Sequence, residues 1–583
     1  MAGRTRKARS RAKVAAETVS QRGFTAALLL ILAAVAVAYA PSLWVPYLFD
    51  DHSALEENPF LQHPWTFQWI SRVPENSALI ARPFLSWTFG VSALLFGHGV
   101  AADHGINLLV HLANVSLVAA LVRRGLGYTS LEEALRTPVA LAMALLWGVH
   151  PLNVQAVAYL IQRSESLATC LELLALYAWI RSDEPRASRR WTALACASLP
   201  AAAATKEHGW IAPLLPLLWA WIFLGRTPAQ EIRSRRVFYA VGAGSWLLLA
   251  ALTLTGGRLA HVNADPGIDA WSYFINQPRV LSHYVKLFAV PLGQSFDYDW
   301  KVATLSEAWP WLLLWTALFF ASAYAVWRRR PVGFPAALIF LSLATSSSFV
   351  ALPDLAFEHR FYLAGACAAV LVVAPVAMLT RRAPRALYAV AAGLALVLGV
   401  LTAQRCMLFQ SELAVWSEAL ERNPDQRRAL SNVGGILLKQ GRAADALEYY
   451  RKVEALGVPA RMQMRIYFQT GNALLDLGRT AESRVYFQKA LEAVHGEPGP
   501  IYANLGHSYL RDGNLVDARR MFERAVSTLT QDSALYFDLA YACTQLGDIE
   551  AGRRAYEEGL RLGGRPQPAL RQLMAVFRTD DLP

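Results

Sequence analysis

Long apolar runs dominate the first 405 residues of the chain. A helix that crosses a membrane needs about 20 mostly apolar residues, and runs near that length recur here between short basic or polar connections. The composition agrees, because 55% of the residues are hydrophobic and only 17% are charged, which is too apolar for an ordinary soluble enzyme. We therefore predict a basic cytoplasmic tail over residues 1–23 and a polytopic membrane domain over residues 24–405.

About eleven membrane spans are predicted. They cover residues 24–43, 104–122, 137–150, 165–180, 191–205, 208–224, 237–255, 309–327, 333–351, 361–380 and 386–404. Five arginine clusters follow spans: Arg123-Arg124, Arg181 to Arg190, Arg226 to Arg236, Arg328 to Arg330 and Arg381 to Arg385. Basic loops stay on the cytoplasmic side. All five arginine clusters are cytoplasmic if the helices at 79–97 and 271–291 do not cross the membrane and lie on its outer face. The net charge of +12 is then explained by membrane loops, with no nucleic-acid partner.

An odd number of spans places the two ends of the chain on opposite sides of the membrane. The N-terminus is predicted in the cytoplasm and the C-terminal part outside it. We expect an integral membrane protein whose C-terminal part is periplasmic if the membrane is a bacterial inner membrane, or luminal in a eukaryote.

Residues 411–583 repeat a helix-pair pattern every 34 to 37 residues. Each unit has a small residue, a turn glycine and an aromatic residue in the same order. The small residues are Gly434, Gly471, Gly506 and Ala540; the turn glycines are Gly441, Gly478, Gly513 and Gly547; the aromatic residues are Tyr450, Phe487, Phe522 and Tyr556. Trp416 lies in an apparent partial unit. The pattern resembles the tetratricopeptide repeat, and predicts an α-solenoid that binds an extended polypeptide.

Charged and polar residues lie where the predicted spans meet the outer face. A charge at membrane depth costs about 2.5–3.5 kcal/mol and marks function by default. These residues are Asp50, Asp51, Arg82, His104, Asn107, His111, His150, Arg163, Glu165, Lys206, Glu207, His208, Asp297, Asp299, Glu358, His359 and Arg360. Each has a plainer interpretation: the aspartates could cap a helix, the histidines could join helices by hydrogen bonds, and Lys206 or Arg360 could snorkel.

The order of these motifs resembles a known family. Phe49-Asp-Asp-His, Arg82-Pro-Phe-Leu, His150-Pro-Leu-Asn, Arg163-Ser-Glu, Lys206-Glu-His-Gly, Asp297-Tyr-Asp and Glu358-His-Arg-Phe-Tyr resemble the transmembrane-and-tetratricopeptide-repeat O-mannosyltransferases and their bacterial relatives. The resemblance covers nearly the whole chain, although Gln155 stands where the animal enzymes usually carry Glu. It implies an all-α, C-type glycosyltransferase-like bundle followed by the repeats, and a polyprenyl-phosphate sugar as donor.

The sequence therefore predicts an inverting glycosyltransferase that moves a sugar, mannose by resemblance, from a polyprenyl-phosphate donor to a Ser or Thr hydroxyl of a protein held by the repeats. Asp50 or Asp51 is the expected general base. The donor phosphate is assigned to Arg82, Arg163, Lys206, His359 and Arg360, since cations bind phosphate. Support is expected from His104, His111, His150, Glu207, Asp297, Asp299 and Glu358. No cofactor or metal is expected beyond the lipid-linked sugar.

Two other functions fit the same sequence. One is a transferase that modifies a lipid or a glycan. The other is a membrane scaffold without catalytic activity that recruits partners through its repeats.

Overall fold

The computed structural model describes residues 22–74, 77–97, 99–184, 188–255, 268–379, 384–494, 498–568 and 570–572. All regular elements in these ranges are helices, which confirms the all-α prediction. The chain divides into a membrane unit, Met1–Val415, and a repeat unit, Trp416–Pro583. Residues 1–21 of the predicted basic tail, and Arg381 and Arg382 of the last arginine cluster, lie outside the described residues.

The described ranges of the membrane unit contain fifteen α-helices of five or more residues. They are α1 (Arg22–Trp44), α2 (Pro83–Phe96), α3 (Val100–Leu126), α4 (Glu133–Gly148), α5 (Val154–Ala158), α6 (Arg163–Ser182), α7 (Arg189–Ala203), α8 (Leu214–Phe223), α9 (Pro228–Ser234), α10 (Arg236–Thr255), α11 (Ala270–Ala289), α12 (Leu305–Trp327), α13 (Gly333–Leu343), α14 (Tyr362–Leu379) and α15 (Pro384–Phe409).

The prediction of about eleven spans is not confirmed. Among the described residues, six helices are long and apolar enough to cross a membrane, namely α1, α3, α10, α12, α14 with the turn before it, and α15. A seventh span results if α4 and the segment Pro151–Ala158, which are bent by 55°, count as one. The other predicted spans coincide with shorter helices or, in α6, with a helix that carries Glu165 and Glu172. Prolines interrupt several of these apolar runs, as Pro200 and Pro213 do around α7 and α8.

Gly148 allows α1, α3 and α4 to approach one another closely. A Cβ atom added to Gly148, at the end of α4, would lie 2.9 Å from a methyl group of Val35 in α1 and 3.0 Å from one of Val115 in α3. Close approach of this kind is typical of helix contacts in membranes, where packing and polar bonds replace the hydrophobic effect. The polar side chains of α3 and α6 are therefore enclosed between helices.

The repeat unit follows a helix, α16 (Glu412–Arg422), within which the division between the units falls. Four helix pairs come next: α17 (Arg427–Lys439) with α18 (Ala443–Ala455), α19 (Ala460–Asp476) with α20 (Thr480–Glu492), α21 (Gly499–Arg511) with α22 (Leu515–Thr528), and α23 (Ser533–Gln545) with α24 (Ile549–Arg561). Each pair turns at one of the four predicted glycines, whose φ values of +74° to +83° suit glycine because other residues are strained there.

In the first three pairs, the aromatic ring of the second helix lies over the small residue of the first. A Cβ atom on Gly471 would lie 2.6 Å from the ring of Phe487, and one on Gly506 would lie 2.5 Å from Phe522. Phe487 also packs with Ile501 and Leu505 of the next pair. Phe487 thus fills the seam between two neighbouring repeats.

Candidate active site

The two aspartates that follow α1 have different surroundings. Asp51 is fully buried, and its carboxylate accepts the backbone N–H groups of Ile161 at 2.8 Å and Leu48 at 3.2 Å. Asp50 is half-buried, and its backbone N–H donates to the hydroxyl of Tyr159 at 3.1 Å. Burial raises the pKa of Asp51 well above its usual range, against the effect of the two N–H donors. Asp51 therefore joins two loops, whereas Asp50 is the aspartate that a substrate can reach.

The left-handed backbone of Phe49, with φ of +46°, bends the chain immediately before this pair. The bend is stabilised by Glu412, which accepts the N–H of Phe49 at 3.2 Å and lies 3.3 Å from Nε2 of His52. His52 also lies 2.5 Å from Glu56. The hydrogen bond to Glu412 is the largest cause that raises the pKa of His52 to about 9, which favours the protonated form of this histidine at neutral pH.

The sequence assigns Arg163 to the donor phosphate, and in the structure its guanidinium is bonded within the protein. It is fully buried at the start of α6. Its guanidinium donates to Asn107 at 2.6 Å and to Asp103 at 2.8 Å, both in α3, and to Thr88 of α2 at 3.4 Å. It also stacks 3.8 Å from the ring centre of Phe89. With its three nitrogens bonded and one face covered, Arg163 connects α2, α3 and α6.

Lys206 begins a buried chain of alternating charges. Its Nζ lies 2.6 Å from Glu165 and donates to the side chain of Gln162 at 3.4 Å. His208 follows, 3.3 Å from Glu165 on one ring nitrogen and 2.7 Å from Glu172 on the other. An imidazole between two carboxylates is best satisfied when both nitrogens carry hydrogen, which is the protonated form. The positive charges of Lys206 and His208 then neutralise the negative charges of Glu165 and Glu172, as buried charges require.

Arg82 brings a further positive charge to this chain. Its guanidinium donates to Glu207 at 3.3 Å and to the carbonyl of Ala78 at 3.2 Å. Burial lowers the pKa of Lys206, Glu165 opposes that shift, and the positive charge of Arg82 adds to it. The Lys206-Glu207-His208 turn therefore holds two cations, Lys206 and Arg82, close to each other.

Arg360 lies in the turn Glu358–Phe361 before α14 and is half-buried. One of its terminal nitrogens donates to the carbonyls of Asp354 at 3.1 Å and Leu355 at 3.2 Å and to the hydroxyl of Tyr273 at 3.3 Å. The guanidinium also lies 5.4 Å from the ring centre of Phe357. These bonds fix the side chain by one nitrogen and leave the rest of the cation for an anion.

Neighbouring His359 is buried, and both its backbone N–H and its Nδ1 lie 3.0 Å from the side-chain oxygen of Gln155. Gln155 in turn donates to the carbonyl of Phe296 at 2.9 Å. Gln155 therefore positions His359 and the loop around residue 296.

Glu358 supports that loop from its other side. Its carboxylate accepts the N–H of Ser295 at 2.8 Å, the hydroxyl of Tyr298 at 2.6 Å and the amide of Gln294 at 2.8 Å. Asp297 is buried and accepts the N–H of Asp299, and Asp299 itself is exposed with φ of +41°. Glu358 and Asp297 thus shape the loop, and Asp299 is the carboxylate that it presents.

The predicted histidines of the site join helices and loops. His104 bonds to the carbonyl of Val45 at 2.8 Å, and His111 bonds to the hydroxyl of Tyr362 at 2.6 Å and the carbonyl of Gly148 at 2.9 Å. His150 bonds to the carbonyl of Phe288 at 2.9 Å and stacks on its ring at 4.9 Å. In the described ranges, no group of three or more His, Cys, Asp or Glu side chains is arranged to hold a metal ion.

Sequence reasoning missed Asp103 and Glu172, which partner Arg163 and His208. Glu172 follows Glu165 by seven residues, which is about two helical turns and the same face, so its position carried a usable signal. Asp103 directly precedes His104 at the start of α3, where a charge is expected to be solvated. Its side chain is only 13% exposed in the ion pair with Arg163.

One short segment connects the two halves of the site. Between Tyr159 and Glu165, four residues bind either the aspartate loop or Lys206: Tyr159 and Ile161 contact Asp50 and Asp51, while Gln162 and Glu165 contact Lys206. A reachable carboxylate and a group of cations are therefore held a few residues apart on one backbone. The segment thus contacts both a carboxylate that could accept the proton of a hydroxyl and cations, themselves ion-paired, that could attract an anion.

Comparison with known proteins supports the division of the chain. Tetratricopeptide repeat models match residues 413–460, 465–493 and 503–567. The human Protein O-mannosyl-transferase TMTC4 is 24% identical over 497 residues, which cover 72% of this chain and 65% of that protein. Human TMTC3 is 30% identical over 191 residues. The chain is therefore similar to the TMTC proteins over much of its length.

The alignment with TMTC3 spans 31% of this chain and only 20% of that protein, so the chain covers about a fifth of this TMTC relative. A solved structure, ArnT from Cupriavidus metallidurans in the apo state, is 15% identical, with 90% of this chain and 81% of that chain covered and a TM-score of 0.32.

Proposed function

We propose that the protein is an inverting glycosyltransferase of the membrane, which transfers a sugar from a polyprenyl-phosphate donor to a hydroxyl of a protein on the outer face. The observation that carries the proposal is the Tyr159–Glu165 segment, which holds the reachable carboxylate of Asp50 beside the Lys206 cluster. The names of the TMTC relatives, protein O-mannosyl-transferases, favour mannose and a protein acceptor.

In this mechanism the cations bind the donor phosphate. Arg360, fixed by one nitrogen, and Lys206 with Arg82 would neutralise the charge that grows on the phosphate as its bond to the sugar breaks. Asp50 would take the proton of the acceptor hydroxyl, which attacks the sugar from the face opposite the phosphate. The configuration at the sugar carbon is inverted because one displacement occurs.

Substitution of the two aspartates tests the assignment of the base. Asp50→Asn keeps the shape and removes the basicity, so turnover of a polyprenyl-phosphate mannose should fall by about 10²–10⁴ while donor binding is retained. Asp51→Asn should act through folding, because its carboxylate bonds only to backbone in the described residues. Glu57→Gln, an exposed carboxylate of the same loop, is the matched control and should keep wild-type turnover.

Wild-type turnover in Asp50→Asn would exclude Asp50 as base and make Asp299 the next candidate. Absence of consumption of any sugar in a panel of polyprenyl-phosphate donors by the wild-type protein would contradict the proposed activity as a whole. Transfer to lipid in place of protein would select the runner-up function.

The repeat unit contains a groove suited to a polypeptide. The groove has a volume of about 640 Å³ and is lined by polar side chains that include Asn472, Asn504 and His507. Asn504 donates to Asn472 at 2.7 Å, so the two amides form a row between neighbouring helix pairs. Amides of this kind bind the backbone of an extended peptide without regard to its side chains.

We infer that this groove holds the acceptor protein. In the full chain, the double variant Asn472→Ala, Asn504→Ala should raise KM for a protein acceptor and leave kcat on a short peptide unchanged, because the groove adds local concentration and no catalytic group. An unchanged KM for the protein acceptor would assign the repeats to another partner.

A further inference from the structure

A second site lies in the membrane unit outside the cluster of charges. It is a cavity of about 580 Å³ between α3, α6, α8, α13 and α14. Its walls are apolar, with Leu173, Trp219 and Phe334 among them, and it follows α14 from Leu363 to Met378. About fifteen residues of helix span roughly 22 Å, which is more than half of the roughly 30 Å of hydrocarbon in a bilayer. The cavity has the length and the lining for one lipid chain.

The polar lining groups of this cavity are gathered at one end. Tyr128, Thr129 and Ser130 follow α3, and Arg330 precedes α13. The opposite end, near Leu363 and Val118, is lined by aliphatic side chains. A ligand that fits both ends has an apolar chain and an anionic head that carries hydrogen-bond acceptors.

Arg330 differs from the two arginines that precede it. Arg329 donates to the carbonyl of Gly225 at 3.1 Å and stacks 4.0 Å from the ring centre of Trp221, and Arg328 lies 6.0 Å from that of Trp327. Among the described residues, the guanidinium of Arg330 forms no side-chain hydrogen bond, and it is exposed at the cavity mouth. Its charge is therefore available to a phosphate.

We propose that this cavity binds one anionic glycerophospholipid, with an acyl chain along α14 and the phosphate at Arg330. The donor lipid fits less well, because Arg360 and Lys206, the cations proposed for its phosphate, do not line the cavity. Apolar contacts alone do not select a lipid from the bilayer, since lipid tails are as apolar as leucine. The selectivity must then come from the charge at the mouth and the shape of the walls. The choice of a glycerophospholipid over the donor rests on the cations that the proposed function assigns to the donor phosphate.

Native mass spectrometry of the full chain, purified in mild detergent and supplied with phosphatidylglycerol or phosphatidylcholine, tests the site. The wild-type protein should retain one phosphatidylglycerol in preference to phosphatidylcholine. Arg330→Gln should reduce that preference by roughly fivefold, the ratio expected for one basic residue beside an anionic lipid. Arg328→Gln, an exposed arginine outside the cavity lining, is the control and should retain the preference.

Ala366→Trp fills the cavity from α14 and should abolish retention of either lipid. An equal preference in the wild-type protein and Arg330→Gln would overturn the proposal. Displacement of the bound phosphatidylglycerol by a polyprenyl phosphate would also overturn it, by assigning the cavity to the donor. Because Arg330 is exposed, its variant decides the question even if Ala366→Trp fails to fold.

Discussion

The membrane unit and the repeat unit use the same charged residues in opposite ways. In the membrane unit, the pairs Arg163 with Asp103 and His208 with Glu172 have side chains that are at most 13% exposed, and the partners come from different helices or turns. In the repeat unit, Arg554 pairs with Glu550 four residues away, with both side chains more than 60% exposed. The first kind of pair connects separate elements and fixes tertiary structure. The second kind joins two residues on the surface of a single helix.

This difference follows from the surroundings of the charges. A buried ion that loses its partner keeps its desolvation penalty, but an exposed ion is rehydrated and screened by salt. The helices of the repeat unit are held by rings packed on glycines, and those of the membrane unit by buried polar bonds. Variants of one residue type should therefore give very different results in the two units.

The largest effect is expected for Arg163→Met. The change leaves the Asp103 carboxylate and the Asn107 amide without their donor, so the free energy of unfolding should fall by about 3–5 kcal/mol. Equilibrium unfolding of the full chain in mixed micelles, followed by tryptophan fluorescence, measures the change. The matched control is Arg554→Met, for which a change below about 1 kcal/mol is expected. Similar losses in the free energy of unfolding in both variants would contradict the proposed difference between the two units.

An intermediate effect is expected at two adjacent glycines of α17. A Cβ atom on Gly434 would lie 2.8 Å from the ring of Tyr450, whereas one on Gly435 has its nearest neighbour, the Tyr450 hydroxyl, at 3.8 Å. Overpacking costs about 1–3 kcal/mol, while alanine in a helix gains up to about 1 kcal/mol over glycine. Gly434→Ala should therefore destabilise the pair α17 and α18, and Gly435→Ala should stabilise it.

Hydrogen exchange of backbone amides in residues 427–455 of the full chain measures both changes locally. Faster exchange in Gly434→Ala and slower exchange in Gly435→Ala are expected. The same direction in both variants would show that the ring of Tyr450 does not rest on Gly434, and that the repeat unit is not held in this way.

The smallest effect is a dependence of stability on pH. Because Glu412 raises the pKa of His52 to about 9 from an ordinary value near 6.5, this histidine stabilises the folded chain fully below about pH 6.5. That contribution declines as the pH rises and is lost above about pH 9. The midpoint of thermal unfolding should thus fall more between pH 6.5 and 9.5 in the wild-type protein than in His52→Asn. Parallel curves for the two proteins would exclude an imidazolium at this position.

The amino-acid sequence predicts the repeat unit more accurately than the membrane unit. Repeat glycines and aromatic residues recur at fixed offsets, so the periodicity alone pairs Gly471 with Phe487. The spans cannot be counted in this way, because α6 combines two glutamates with an apolar surface and α8 and α13 are short. Hydropathy measures composition along the chain. It contains no information about the residues that shield a polar side chain in the folded structure.

The candidate site shows the same limit. The polarity of Asp50, Lys206 and Arg360 predicts their positions at the site, but it does not distinguish Asp50 from Asp51. That distinction depends on the backbone N–H groups of Ile161 and Leu48, which any residue types could supply. The structural role of Arg163 likewise depends on Asp103, a partner 60 residues away. The polarity of a residue predicts that it needs partners, and the fold decides which partners it has.

The alternating charges from Lys206 to Glu172 also constrain how the protein is made. The carboxylates of Glu165 and Glu172 are synthesised before their partners, and His208 follows Glu172 by 36 residues. At translation rates of about 5–20 residues per second, roughly 2–8 s pass between the synthesis of these carboxylates and that of their cationic partners. During that interval the carboxylates of α6 have no cationic partner, which makes the helix costly to place in lipid. Variants of Lys206 or His208 should therefore lower the amount of protein in the membrane before they affect any reaction.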